Sequence, residues 1–330
     1  MLRFTDAQQA SILANRRQFN ASQRAMASRI GNASMIGNAL PLPFNVWGEW
    51  DREGIAIQRQ VLAVFNDLAS SVSRPMPIGK LVHYFQAISD SGSVNISLDG
   101  RSKANIDKPT FAYYGTPVPI IDSSFGYGWR EVAAAASEGY QLDDAGRTNA
   151  MFKVAEKLEG IALDGDSSIV VSGQQLYGLR THPKRSTRST GVTLQSATGA
   201  QWMSEVIATL KLLQAKNFKS PATLYLNWSD WFYAGNTDFS TTYPNKTILQ
   251  RIQEIAGVQA VVPADKVSAN QIIALVKDRR VVQVLSAMPM VTRAQERDNP
   301  EDDYNFVTMA AAAVEIKYDA ANNIGLAVSS

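Results

Sequence analysis

The sequence predicts an α+β protein that leans on neighbouring chains for part of its stability. Three observations carry that prediction. Helical-period segments alternate with short, mostly apolar runs through the C-terminal half. A long extended excursion over residues 88–118 holds apolar residues that a lone hairpin cannot bury. No arrangement of residues suited to catalysis accompanies them.

Composition supports a globular core. The chain has 330 residues, 45% hydrophobic and 19% charged, enough for one large domain or two ordinary ones. A formal net charge of +2 gives no overall affinity for polyanions, so a nucleic-acid contact has to come from a local patch. Cysteine is absent, which excludes disulfides, thiolate nucleophiles and cysteine metal sites. No apolar run reaches the roughly 18 residues of a membrane span, and none is expected. The opening MLRFTDAQQASILANRRQF lacks the apolar core of a secretory signal.

Residues 1–40 carry Arg3, Arg16, Arg17, Arg24 and Arg29 against one acid, Asp6, with few large apolar residues. Such a segment has little to bury alone and reads as an arm ordered by neighbours. Leu40-Pro41-Leu42-Pro43 closes it. A helix is expected over 45–71, with Ile55, Ile57, Val61, Leu62, Phe65 and Leu68 on one face. Residues 80–88 read as a strand and Asp90-Ser91-Gly92 as a turn. Val94, Ile96 and Leu98 alternate with Asn95, Ser97 and Asp99, the pattern of a half-buried strand. Residues 110–121 form a second extended run, rich in Phe, Tyr and Val.

Further on, a helix is expected over 129–137. A longer one follows, capped by Asp143 or Asp144 and running to about Leu163. Its buried stripe is Met151, Val154, Ala155, Leu158, Ile161 and Ala162. After a polar loop at 182–200 come a helix at 202–217 and a strand at 222–226. A short helix capped by Ser229 and a helix at 247–255 follow. Short buried strands are expected at 258–262, 272–276 and 281–285, a charged loop at 294–303, and a final strand at 306–318.

Chemistry-bearing motifs are missing. There is no phosphate-binding Gly-Lys-Ser/Thr loop and no strand-linked Gly-x-Gly-x-x-Gly, since Gly126-Tyr127-Gly128 lacks the third glycine. His83 and His182, the two histidines, show no metal-ligand spacing, and no Gly-x-Ser-x-Gly elbow occurs. Asp164 and Asp166 flank Gly165 and read as a turn. Glu301, Asp302 and Asp303 read as a solvated loop. No catalytic, metal or cofactor residue is therefore expected. The arm arginines can contact DNA phosphates, or else pair with acids on a neighbouring subunit or simply be solvated.

From about residue 40 the order of segments resembles the encapsulin and linocin-type shell proteins. Those share the Hong Kong 97-type fold of tailed-phage major capsid proteins. LPFNVWGEWDREGIAIQRQVLAVFNDLA resembles their opening helix, and GSVNISLDGR the start of their extended loop. PVPIIDSSFGYGWREV resembles the strand before a helix, and LDDAGRTNAMFKVAEKLEGIALDG the long spine helix. LYGLRTHP resembles the short segment after it. SPATLYLNWSDWFY and TTYPNKTILQRIQEIAG resemble axial-domain elements. SAMPMVTRAQERDNPEDDYNFVTMAAAAVEIKY resembles the closing strands and their charged loop. The first 40 residues exceed the usual encapsulin N-terminus, a departure that favours a virion over a cargo compartment, and no cargo-peptide groove is carried over.

The resemblance implies a Hong Kong 97-type capsid fold with an N-terminal arm (1–44) and the opening helix and strand of a peripheral domain (45–87). An extended β-hairpin loop (88–118), the spine-helix part of the peripheral domain (119–171), an axial α/β domain (172–293) and a return strand (294–330) complete it. It implies a major capsid protein forming hexamers, pentamers and an icosahedral shell, assembled in the host bacterial cytoplasm and located in the virion. Partners would be the chain itself, scaffolding, portal and decoration or cementing proteins, and packaged double-stranded DNA held without sequence preference on the inner face. No membrane or cofactor is implied. The expected inter-subunit residues of the loop are Val94, Ile96, Leu98, Lys103 and Lys108; those of the arm are Arg16, Arg17, Arg24 and Arg29. An encapsulin-type compartment shell is the alternative, and a soluble α/β enzyme a remote one.

Overall fold

The computed structural model describes residues 6–29, 62–91, 94, 96, 98, 108–138, 145–240, 242 and 246–330. Most of the expected opening helix, Lys103, and the Asp143 and Asp144 caps lie outside these residues. In chain order the elements begin with α1 (Asp6–Arg29), α2 (Ala63–Val72), β1 (Ser73–Pro75), β2 (Val82–Ile88), β3 (Phe111–Pro117) and β4 (Ile120–Tyr127). Then come α3 (Trp129–Glu138), α4 (Ala145–Asp164), β5 (Gly165–Val171), β6 (Gln174–Tyr177), β7 (Ser186–Arg188) and α5 (Gly199–Ala215). The chain closes with β8 (Ala222–Leu226), α6 (Trp228–Asn236), α7 (Ile248–Gln253), β9 (Val258–Pro263), β10 (Ile272–Leu275), β11 (Val282–Ala294), β12 (Tyr304–Ile316) and β13 (Leu326–Ser329).

Two compact units result. One gathers residues 1–61, 120–156 and 288–310; the other holds 62–119, 157–287 and 311–330. Helix α4 and strands β11 and β12 contribute residues to both.

In the first unit β4 lies beside β12. The charged loop after β11 is clasped where Gln295 N donates to Asn305 O at 2.8 Å. Val132 and Phe306 are buried, with Phe125, Tyr127, Ala294 and Tyr304 around them. Phe125 stacks on Phe306 with ring centroids 5.2 Å apart. Gly126 makes room there for the Asn305 side chain, whose Oδ1 would lie 2.5 Å from a Cβ. Glu131 caps the start of α3 by accepting from Gly128 N, and Asp303 accepts from Trp129 N.

In the second unit a five-stranded sheet runs β7-β13-β10-β8-β9. Every residue of β8, β10 and β13 is buried. That explains their mostly apolar sequences, broken only by buried Thr223 and Ser329, since strands covered on both faces lose the alternation of a half-wet strand. Helix α5 presents Trp202, Val206, Leu210 and Leu213 to the core, all buried as the spacing requires. It touches β13 through Thr209 Oγ1 and Ser329 Oγ, 2.7 Å apart. Its start at Thr198 is a reciprocal capping box with Gln201, and α7 starts the same way with Thr247 and Gln250. The cap of α6 is Asn227, whose side chain accepts from Ser229 N at 2.9 Å; this corrects the expectation that Ser229 itself is the cap.

The long helix bears out its stripe: Met151, Val154, Ala155, Leu158, Ile161 and Ala162 are all buried. Between them sits Glu159, 1% exposed. Its carboxylate accepts from Val64 N at 2.9 Å and Phe65 N at 3.0 Å, capping α2 from a distance of 94 residues or more in sequence. Burial nevertheless raises its pKa above the ordinary value, with the two backbone donors opposing that shift. Phe65 and Leu68 on α2, and Leu62 just before it, are buried as expected.

Three differences from the sequence reading have simple causes. The hairpin β5–β6 turns on Ser172 (φ 53°) and Gly173 (φ 76°), a two-residue turn whose Ser-Gly signal is weaker than Asn-Gly. The expected strand at 281–285 is the start of 13-residue β11, whose later residues are only half-buried and so lack a continuous apolar signature. The single return strand placed at 294–330 omits β13, which pairs with β10 and β7 in the five-stranded sheet.

Candidate assembly surface

The hairpin β2–β3 has two faces with opposite fates. Antiparallel pairing sets Phe85 opposite Tyr114, Gln86 opposite Tyr113 and Ile88 opposite Phe111. Because side chains alternate along a strand, His83, Phe85, Ala87, Ala112, Tyr114 and Thr116 share one face.

That inner face is anchored to the second unit. His83 Nδ1 lies 2.7 Å from Glu315 Oε1, a carboxylate with no exposed side-chain surface that also accepts from Gln283 Nε2. Phe85, Tyr114 and Tyr318 form an aromatic cluster, with Tyr114 and Tyr318 centroids 4.7 Å apart. Gly115 N donates to Gln174 Oε1 at 3.0 Å. Beneath lies a cavity of about 50 Å³, lined by Phe85, Tyr114, Gln174, Tyr177, His182 and Tyr318 among others. Burial, aided by Arg185 and Lys184, holds His182 down at about 4, so its ring is neutral at pH 7. Its Nδ1 accepts from Lys184 N at 3.2 Å, which leaves the proton on Nε2. Burial also pushes the Tyr318 hydroxyl up to about 12.

The outer face is apolar and uncovered. Tyr84, Ile88, Phe111 and Tyr113 are between 50% and 64% exposed. Gly115 lets the Tyr84 ring lie across the hairpin, since a Cβ there would come within 2.9 Å of it and 2.6 Å of Val82. Toward the tip the exposure rises to 92% at Val94, 91% at Ile96 and 110% at Leu98. Among the described residues these three pair with no strand, and the rest of the half-buried strand their alternation predicts lies outside the described residues. Lys108 is exposed as well. Isolated exposed apolar residues are ordinary, but a contiguous run of this size marks a contact surface.

Two corrections follow for the loop. Its limit at 118 takes in core: Thr116 and Val118 are 8% and 7% exposed. Sequence alternation also missed Tyr84 and Tyr113, because aromatic residues occupy both faces of β3 and blur the contrast.

The other singled-out residues are structural. Asp164 forms a two-pronged ion pair with Arg180, and Asp166 is held down at about 2 by Ser168 and Lys157. Asp302 accepts from Asp298 N and Asn299 N, holding the 298–303 loop. In the polar loop, Arg188 pairs with Glu205 of α5. Among the described residues no group of three or more His, Asp or Glu side chains is placed to hold a metal ion. No helix among them is long and apolar enough to cross a membrane. On α1, Arg16 pairs with Asp298 and Arg17 is exposed. Arg24 and Arg29 belong to the same helix.

Solved structures with the same arrangement are capsid and particle subunits. The capsid of Myoviridae phage XM1 matches with a TM-score of 0.66 at 10% identity, over 81% of this chain and 91% of that one. A virus-like particle from Pyrococcus furiosus matches at 0.59 and 12% identity, over 86% and 99%. The capsid of a native GTA particle matches at 0.54 and 9% identity, over 79% and 89%. At these identities the shared property is the fold, and it is the Hong Kong 97-type, as the sequence resemblance implies. By sequence, the chain belongs to a family of unknown function (DUF6260), whose model matches residues 32–327. No curated protein matches it in sequence.

Proposed function

We propose that this chain is the major capsid protein of a tailed bacteriophage, building an icosahedral shell around a double-stranded DNA genome. The observation that carries the reading is the hairpin β2–β3. Its inner face is tied to its own unit by His83–Glu315 and the Tyr114–Tyr318 cluster, while Tyr84, Ile88, Phe111 and Tyr113 on its outer face, and Val94, Ile96 and Leu98 beyond it, are exposed. Burying the outer face on another copy supplies the stabilisation the subunit lacks alone, at roughly 25 cal/mol per Å² of apolar surface. Closed shells repeat one such contact around their symmetry axes.

On this reading Val94, Ile96 and Leu98 lie against an adjacent subunit, and Lys103 and Lys108 flank that contact. The arm is residues 1–44, the peripheral domain comprises 45–87, 119–171 and the return strand β12, and the axial domain is 172–293 together with β13. Hexamers and pentamers are the intermediates, assembled in the host bacterial cytoplasm. Scaffolding, portal and decoration proteins are the further partners, and the role is structural rather than enzymatic.

The test is electron microscopy of the protein expressed alone or with a scaffold. Closed shells or capsomers are expected, and DNA inside particles from infected cells separates a virion from a cargo compartment. Deleting residues 91–109, with β2 and β3 joined by a short turn, should leave a folded subunit that forms no stable shell. A protein that stays monomeric under every assembly condition contradicts the reading.

A further inference from the structure

We propose that α1 is a docking surface for the phosphate backbone of duplex DNA, and that Asp298 occupies Arg16 in its absence. Over 24 residues α1 carries Arg16, Arg17, Arg24 and Arg29, no lysine, and the single acid Asp6 at its start. The chain as a whole is nearly neutral, so this is a local concentration of positive charge. Its remaining polar residues, among them Ser11, Asn15, Gln18 and Ser22, are hydrogen-bonding types that contact phosphate and sugar. These four are exposed, as is Arg17.

A protein groove is the less fitting partner. A helix that docks in one needs an apolar seam with two residues per heptad. Here Ile12, Phe19 and Met26 recur once per seven residues, and the positions between them on that side are polar. Among the α1 residues whose burial is described, Arg16, Phe19 and Asn20 are half-buried. Arg16 pairs with Asp298, whose side chain is 73% exposed. An exposed ion pair of this kind is weak and easily exchanged for a phosphate. The helix is about 36 Å long, close to one turn of B-form DNA.

The inference deepens the shell reading, and its test is kept separate by using unassembled full-length subunits. Binding to a fluorescein-labelled 30-base-pair duplex of random sequence is followed by anisotropy from 50 to 200 mM salt. The parent should weaken with salt along a log–log slope of about −3 to −4, about 0.9 per neutralised phosphate. Replacing the four arginines by Gln should cut affinity at 50 mM salt by at least about tenfold and flatten the slope. Replacing them by Lys should keep affinity within about threefold, because a phosphate contact needs charge more than the guanidinium fork. Asp298→Asn should tighten binding by about two- to fivefold, by releasing Arg16. Arg279→Gln with Arg280→Gln, a charge change elsewhere, should leave binding unchanged. Equal binding by the parent and the Gln variant overturns the proposal, as does a parent insensitive to salt. Intact binding by the Gln variant with loss of shells would instead identify an acidic protein partner, and also overturns it. Absence of shells with normal, arginine-dependent binding contradicts the shell reading and supports this one.

Discussion

The five-stranded sheet and the hairpin β2–β3 belong to one unit but are stabilised differently. Strands β8, β10 and β13 are buried on both faces by their own chain, and α5 contributes Trp202, Val206, Leu210 and Leu213 among its buried residues. The hairpin is finished on one face only. Tyr114 is packed against Tyr318 while its neighbour Tyr113 is 64% exposed. The difference separates what one chain stabilises from what it offers to another. Substitutions in the self-sufficient part should register in the isolated subunit; substitutions on the hairpin's outer face should register only on assembly.

The largest effect belongs to the spine. Leu158 is 2% exposed, and Leu158→Ala should remove about 2–5 kcal/mol of subunit stability by denaturant titration. A loss well under 1 kcal/mol would place that face of α4 outside the core.

Next comes pH. Between the unperturbed 6.5 and the folded value of about 4, the unfolded chain binds a proton that buried His182 does not. Stability therefore falls as pH drops through that window, by about 3 kcal/mol in all from this residue. His182→Gln should flatten that segment of a stability–pH curve. An unchanged curve would mean the ring is not held neutral.

Glu159→Gln should cost about 1–3 kcal/mol, because the amide sets a donor where a carboxylate oxygen accepts from α2. Burial raises the Glu159 pKa, so the folded state holds its proton more tightly there. The stability contributed by the protonated form is complete below 4.5 and is lost as pH rises through the raised value. The Gln variant should lack that slope, and thermal melts at several pH values check it.

The smallest effect on the subunit is expected from Phe111→Ser combined with Tyr113→Ser. Both residues are more than half exposed, and the change in unfolding free energy should stay within about 0.5 kcal/mol. The same variant should fail to form shells in the microscope. A large loss of subunit stability would show that the outer face is covered within the chain.

Much of the fold was legible in the sequence for a physical reason. Residues 222–226 and 272–276 are apolar runs because both faces are covered, and the α4 stripe repeats at helical spacing because one face is. The cap of α6 was misplaced by two residues, since Asn227 and Ser229 are both good capping types. Strand β13 was missed because LAVS is short and follows a polar turn. The long-range polar links, Glu159 to α2 and His83 to Glu315, have no local signature: each joins residues far apart in sequence that only the fold brings together. The assembly surface was half legible. Val94, Ile96 and Leu98 stood out by alternation, while Tyr84, Ile88, Phe111 and Tyr113 lay in strands apolar on both faces.

The central claim is that this outer face is bare in the subunit and covered in the shell. Hydroxyl-radical footprinting with mass spectrometry reads it at Tyr84, Phe111 and Tyr113 in unassembled subunits and in purified particles. Strong modification in subunits with several-fold protection in particles is the predicted result, while Tyr225, buried in either state, stays unmodified. Equal modification of the three residues in subunits and particles would contradict the account.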